Sequence, residues 1–229
     1  MKNLYLLIWL SLGLSNLYSQ QSDCNCPVDD DYEMQLQTAL IGTEYHNPLA
    51  GYEGTQFFSY WTQGEVVLNN GDVIKNIYVR YDKYLDELLW MRNSDFKAGI
   101  LKKGAIAGFM LYDDRNKLSA TFTKKIIILP FIDSADTYLQ VLVSGDLSLY
   151  AYRNTSVIWR EYKLLNNNKY LISAGGEYHW VDLKRKSLLD VPILQRTKMR
   201  SVLRSNKIMV RNDESEMARA IGLYNAAPR

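Results

Sequence analysis

Histidine and cysteine are almost missing from this chain. It has two histidines, His46 and His179, and two cysteines, Cys24 and Cys26, in 229 residues. A zinc site takes three or four ligands, and two distant histidines with one CNC step supply no such spacing. No metal is expected. General acid–base chemistry near neutral pH has only those two histidines as unperturbed candidates. The chain also lacks G-x-S-x-G, a P-loop and G-x-G-x-x-G, so neither a serine nucleophile elbow nor a nucleotide cradle is present and no cofactor is expected. Gly175-Gly176 reads as a turn. Long apolar runs are scarce too. The longest N-terminal one, Leu4–Leu14, falls short of the ~20 residues a bilayer helix needs. Nothing later approaches that length, so the mature chain is expected to have no transmembrane span.

That first run still has a meaning. Lys2 precedes it and the small Ser19 follows it, the pattern of a secretory signal over residues 1–19. A lipid anchor would need a cysteine directly behind the apolar core. Cys24 follows Asp23 well beyond it, which excludes that anchor. Export leads to the periplasm, the outer-membrane surface or the medium, and it permits disulfides. A Cys24–Cys26 bridge would be tight and close a tiny loop. Free thiols, pairing with another chain and metal binding remain the alternatives.

Positive charge is absent from a long stretch. Gln20 to Ile74 holds no Lys or Arg but nine acids, among them Asp29, Asp30, Asp31, Glu44 and Glu53. From Leu183 to Arg211 the balance inverts, with nine cations against Asp190 alone. The net charge of +2 conceals this gradient. Either the two ends face each other or are simply solvated, or the basic end meets an anionic partner. Nucleic acid does not fit an exported chain of this composition.

What is plentiful is β pattern. The seventeen tyrosines suit strands and half-buried surfaces. Apolar runs alternate with turn signals: Asn69–Gly71, Asp113–Asn116, Ser144–Asp146, Asn166–Asn168 and Gly175-Gly176. In the segment after Asn69–Gly71, Val73, Ile77, Val79 and Tyr81 fall on one side, and Asn76, Tyr78, Arg80 and Asp82 on the other, which predicts a wet face. Asn-Gly between apolar runs predicts a hairpin whose two central residues both take positive φ. About ten short strands without crossover helices predict an antiparallel sandwich or barrel over residues 55–183. Residues 20–54 read as an acidic lead-in and residues 184–229 as a basic tail. In the tail, Ser187 caps one short turn. Met199, Val202 and Leu203 mark one amphipathic helix; Met217, Ala220, Ile221 and Tyr224 mark a second, capped by Asp213 with Glu216 as a capping box.

GEVVLNNG, VRYDKYLDELLW, EYHWVDLKRKSLLDV and the closing Tyr224-Asn225 occur in an order that resembles a family of exported, β-rich proteins of Gram-negative bacteria without assigned activity. The resemblance spans Gly64 to Asn225 and implies an exported β protein. It carries no catalytic residues.

Three groups of residues bear on function. Asp86 and Glu87, adjacent on a strand, point to opposite faces and cannot both flank one sugar bond unless a bulge intervenes, so the charged cluster is expected to be a solvated hairpin with local charge pairs rather than a glycosidase site. Tyr178, Trp180 and Asp182 share one side of their strand, where aromatic rings beside a carboxylate suit a sugar or peptide, although such rings more often pack in a core. Arg196, Arg200 and Arg204 at i, i+4, i+8 form one stripe of guanidinium groups, suited to an anionic envelope component or an acidic protein surface. The expected function is a non-catalytic binding or scaffold protein of the cell envelope. The alternative is a hydrolase of envelope carbohydrate or peptide.

Overall fold

The computed structural model describes residues 40–91, 97–129 and 132–227. The expected signal peptide, Cys24, Cys26 and the lead-in up to Ala39 lie outside the described residues. From Leu40 onward the chain is one compact unit. Its first strands are β1 (Ile41–Glu44), β2 (Thr62–Leu68), β3 (Val73–Asp82), β4 (Glu87–Met91), β5 (Ala98–Leu101) and β6 (Ile106–Tyr112). Next come β7 (Leu118–Leu129), β8 (Ile132–Val143), β9 (Ser148–Tyr152), β10 (Thr155–Ile158), β11 (Lys163–Asn166), β12 (Lys169–Ala174) and β13 (Glu177–Val181). Eleven of them form one sheet in the order β1-β5-β4-β3-β2-β6-β7-β8-β9-β12-β13, and β10 pairs only with β11. Every pairing in the large sheet is antiparallel. The mainly β, antiparallel expectation therefore holds, but among the described residues the sheet does not close into a barrel.

Local chemistry explains the hairpins and one departure from pattern. Between β2 and β3, Gly71 N donates to Leu68 O at 3.0 Å and Leu68 N to Asp72 O at 2.9 Å. That is a three-residue loop, and within it only Gly71 has positive φ, at 93°. The expected turn with two positive-φ residues is replaced by a type I turn closed by a left-handed glycine. Further along β3, Asn76 takes φ 57° and the register with β2 slips between Gly64 and Val66. A bulge of one residue flips the faces on either side of it. Ile74 accordingly joins the core, whereas Val73, expected inside, is 42% exposed.

The sheet rolls up around its first core. β3 and β8 lie four places apart in the sheet, about 19 Å if it were flat. Yet the rings of Tyr81 on β3 and Tyr138 on β8 meet at 6.1 Å. Phe109 and Phe122 stack between them at 4.5 Å. Phe58, from the segment before β2, closes the cluster edge-on against Phe122. These aromatic rings fill the concave side with Val66, Val79, Leu88 and Leu111.

Helices cover the other half of that side. They are α1 (Arg185–Leu189), α2 (Arg196–Ser205) and α3 (Glu214–Ala226), three where two amphipathic helices and one short turn were expected. Leu149, Ile172 and Val181 from the sheet share a core with Leu188, Met199, Leu203, Met217, Ile221 and Tyr224. The predicted helix faces are the buried ones. Asp213 caps α3 by accepting from Ser215 N and Glu216 N, while Glu216 itself turns to Arg219 at 3.6 Å instead of closing a box. Tyr224-Asn225 has a structural task. The Asn225 amide both donates to Leu147 O (2.8 Å) and accepts from Leu147 N (3.0 Å), pinning the β8–β9 turn.

Candidate functional site

α2 exists because Met199, Val202 and Leu203 bury one stripe of it and leave the opposite stripe to solvent. Lys198 fastens it to α3, with Nζ 4.6 Å from the centre of the Tyr224 ring and donating to Ala227 O. The three arginines of the stripe are not equivalent. Arg196 lies in the first turn, where the helix dipole disfavours a cation, and stands 3.6 Å from Asp190. Arg200 and Arg204 are exposed, Arg204 in the favourable last turn, and no acidic side chain lies within 4 Å of either among the described residues. Thr197, Ser201 and Ser205 run beside them at the same four-residue interval. Together these five residues line an open groove of about 410 Å³. Guanidinium forks flanked by hydroxyl donors present an array of hydrogen-bond donors to an anion.

The described acids of the N-terminal part do not neutralise this face. Glu44 stands 3.8 Å from Lys97 and Glu53 stands 3.9 Å from Lys163, both on the surface.

Tyr178 and Trp180 lie on β13, the last strand of the sheet. Both pack partly against the small core of Ile127, Leu139 and Leu171, and Trp180 donates its indole N–H to Ile128 O at 3.3 Å. Asp182 follows the strand, exposed, with its backbone N–H donating to Ser187 Oγ. Trp180 and Asp182 meet in a shallow pocket of about 260 Å³ with Lys169, Tyr170 and Ser187. Tyr178 does not line it.

The supposed wet face of the hairpin needs the largest correction. Asn76 and Tyr78 are exposed as expected, but Asp82 is as fully buried as Tyr81 on the opposite side, and Lys83 is 6% exposed. The roll brings distant polar partners to the end of β3. Asp82 accepts from Tyr45 Oη and Gln56 Nε2 with one oxygen, and from Tyr84 N and Leu85 N with the other. Lys83 Nζ donates to Asn166 Oδ1, and burial lowers its pKa. Asp86, held at φ 54° in the β3–β4 turn, accepts from Tyr81 Oη at 2.6 Å and Lys103 Nζ at 2.7 Å. It also accepts from Tyr138 N across the roll. Burial raises the Asp86 carboxyl above its ordinary range in spite of the Lys103 charge, and burial raises Glu87 as well. Glu87 Oε2 and Tyr138 Oη are buried without a hydrogen-bond partner among the described residues. A third polar group joins sheet to helix. Arg153, 8% exposed, donates to both oxygens of Glu214 at 2.7 and 2.8 Å and to Gln140 Oε1 at 2.6 Å. Sequence reading missed most of these partners because they come from distant segments: Tyr45 and Gln56 for Asp82, Asn166 for Lys83, Lys103 and Tyr138 for Asp86, and Glu214 for Arg153. The one available signal was the density of charged residues next to buried-type tyrosines in VRYDKYLDELLW.

Fold and surface together define a rolled antiparallel β protein with a helical cover whose outer face is basic. No family model, no curated protein and no solved structure matches the chain.

Proposed function

We propose that this chain is an exported, non-catalytic binding protein of the cell envelope, akin to the β-rich exported proteins its motifs resemble, and that α2 presents its arginine face to an anionic partner surface. The observation that carries this reading is the pair Arg200 and Arg204: exposed, without carboxylate partners among the described residues, and set in a groove with three hydroxyl side chains. Two like charges four residues apart on one helix repel each other by a few tenths of a kcal/mol, a cost that an arriving anion relieves. The buried face of α2 fixes the backbone that carries the stripe, so binding has only the arginine side chains left to order.

The test is co-sedimentation with isolated envelope. Changing Arg196, Arg200 and Arg204 together to Gln keeps helix propensity and removes three charges. Association of the unaltered chain is expected to weaken as salt rises, and the triple variant is expected to lose most of it with an unchanged melting temperature. Association that ignores both salt and the triple change contradicts the reading.

The hydrolase alternative draws on Asp86 and Glu87, whose raised carboxyls are the kind of perturbation an acid catalyst needs. Asp86 is already engaged by Tyr81, Lys103 and Tyr138, which favours a structural task for it. Hydrolysis of envelope polysaccharide or peptide that disappears in an Asp86→Asn, Glu87→Gln variant of normal fold would favour the alternative.

A further inference from the structure

The least expected surface of the molecule involves residues of neither the α2 groove nor the Trp180 pocket. Trp159 and Tyr162 are 61% and 64% exposed. Tryptophan is normally buried over most of its area, so an indole left in water at that level calls for an explanation. Both rings stand beside Tyr52, at centroid separations of 5.9 Å (Trp159, perpendicular) and 5.4 Å (Tyr162, tilted by 48°). The cluster is assembled from segments about a hundred residues apart. Glu53 N donates to Tyr162 O at 2.7 Å and Leu164 N to Glu53 O at 2.8 Å, which binds the Tyr52 segment to the β10–β11 ribbon. Gly54 makes that approach possible: at φ 102° a Cβ there would stand 3.1 Å from Leu164 O. Tyr162 pays for its place, because it holds φ 50°, a left-handed conformation unfavourable for a bulky residue. Strain of this kind persists where the surroundings over-determine it, and here it turns an aromatic ring outward rather than into a core.

The charges next to the rings along the chain bear on the occupant. Glu53 and Glu161 are balanced by Arg160 and Lys163, with Lys163 standing 3.9 Å from Glu53. A cation cage would show a surplus of acid and an anion site a surplus of base. A neutral, hydroxyl-rich ring has use for both donors and acceptors at the rim, and its C–H face complements the electron-rich face of an indole or phenol. We propose that Tyr52, Trp159 and Tyr162 form a binding platform for the sugar rings of a neutral polysaccharide. This site is separate from the arginine face and does not depend on it.

The experiment is affinity electrophoresis of the full mature chain through gels containing soluble β-glucan, mannan or α-glucan. Retardation by at least one of them is expected. Two variants carry the argument. Trp159→Ala removes an exposed ring. Tyr162→Gly removes another and relieves the left-handed backbone, so it should hold or raise the melting temperature while binding falls. Loss of one stacked ring is expected to weaken affinity about tenfold. The Arg196, Arg200, Arg204→Gln variant is expected to be retarded like the unaltered chain. No retardation by any of the three polysaccharides, or retardation indifferent to both ring variants, overturns the proposal. So does capture of a proline-rich peptide through the same rings without any glycan binding.

Discussion

Replacing Glu214 by Gln tests whether the helical cover is locked to the sheet by charge. The side chain keeps its size, and Arg153 keeps Gln140 but loses its bidentate carboxylate. Removing one partner of a buried pair typically costs about 3–5 kcal/mol, because the other charge stays desolvated. Arg153 fits that description, with its side chain 10% exposed, whereas Glu214 is 32% exposed and partly hydrated. The water at Glu214 lowers the expected cost to about 2 kcal/mol. For a domain of this size that corresponds to a melting temperature lower by about 4–8 °C. Urea unfolding followed by circular dichroism should give a lower midpoint at constant m-value, since the surface exposed on unfolding is unchanged. A double-mutant cycle with Arg153→Met isolates the pair, and the Met change should cost less once Glu214 is already Gln. A loss below about 0.5 kcal/mol, the range of exposed ion pairs, would refute the claim that this contact is a buried lock.

Three further outcomes follow from the same geometry. Asn225→Ala removes both hydrogen bonds to Leu147 and leaves a part-buried turn unpaired, so stability should fall by about 1–3 kcal/mol in chemical denaturation. Gly71→Val should cost about 1–3 kcal/mol through backbone strain alone, because space around that position is open; an unchanged unfolding midpoint would contradict the left-handed turn. Burial raises the folded-state carboxyl pKa of Asp86 and Glu87 above the unfolded values near 4, so the folded chain binds more protons in that window. Stability should therefore rise as pH falls from neutral through the folded values, and the gain should be complete below the unfolded ones. Asp213, whose carboxyl the Ser215 hydrogen bonds hold low, acts only at still lower pH. Urea midpoints in a series from pH 7 down to the unfolded values should show this rise, and an Asp86→Asn, Glu87→Gln variant should flatten it.

The strands, their antiparallel pairing and the buried faces of α2 and α3 were legible because each rests on local periodicity. Met199, Val202 and Leu203 fall on one side of a helix whatever that helix packs against. The roll was not legible. Alternation on β3 assigns Asp82 to the side opposite Tyr81, and it carries no sign that the strand ends where Gln56 and Tyr45 cover that side as well. The bulge at Asn76 likewise moved Val73 and Ile74 between faces without any cue in their residue types. At the candidate site the four-residue spacing of the arginines predicted a stripe. Its division into a partnered Arg196 and an Arg200 and Arg204 without carboxylate partners among the described residues depends on where the loop before α2 leaves Asp190. The Tyr52–Trp159–Tyr162 cluster joins segments about a hundred residues apart, beyond the reach of any local pattern.

The proposed arginine face is tested most directly by equilibrium binding to vesicles, one set neutral and one carrying anionic phosphate headgroups, across a salt series. Each cation at such a surface contributes about 1 kcal/mol, so Arg200→Gln with Arg204→Gln should weaken binding about 30-fold at low salt. The account predicts binding to the anionic vesicles only, falling with salt, and a shallower salt dependence in the double variant. Equal binding to both vesicle types, or a salt response that the two substitutions leave untouched, would contradict it.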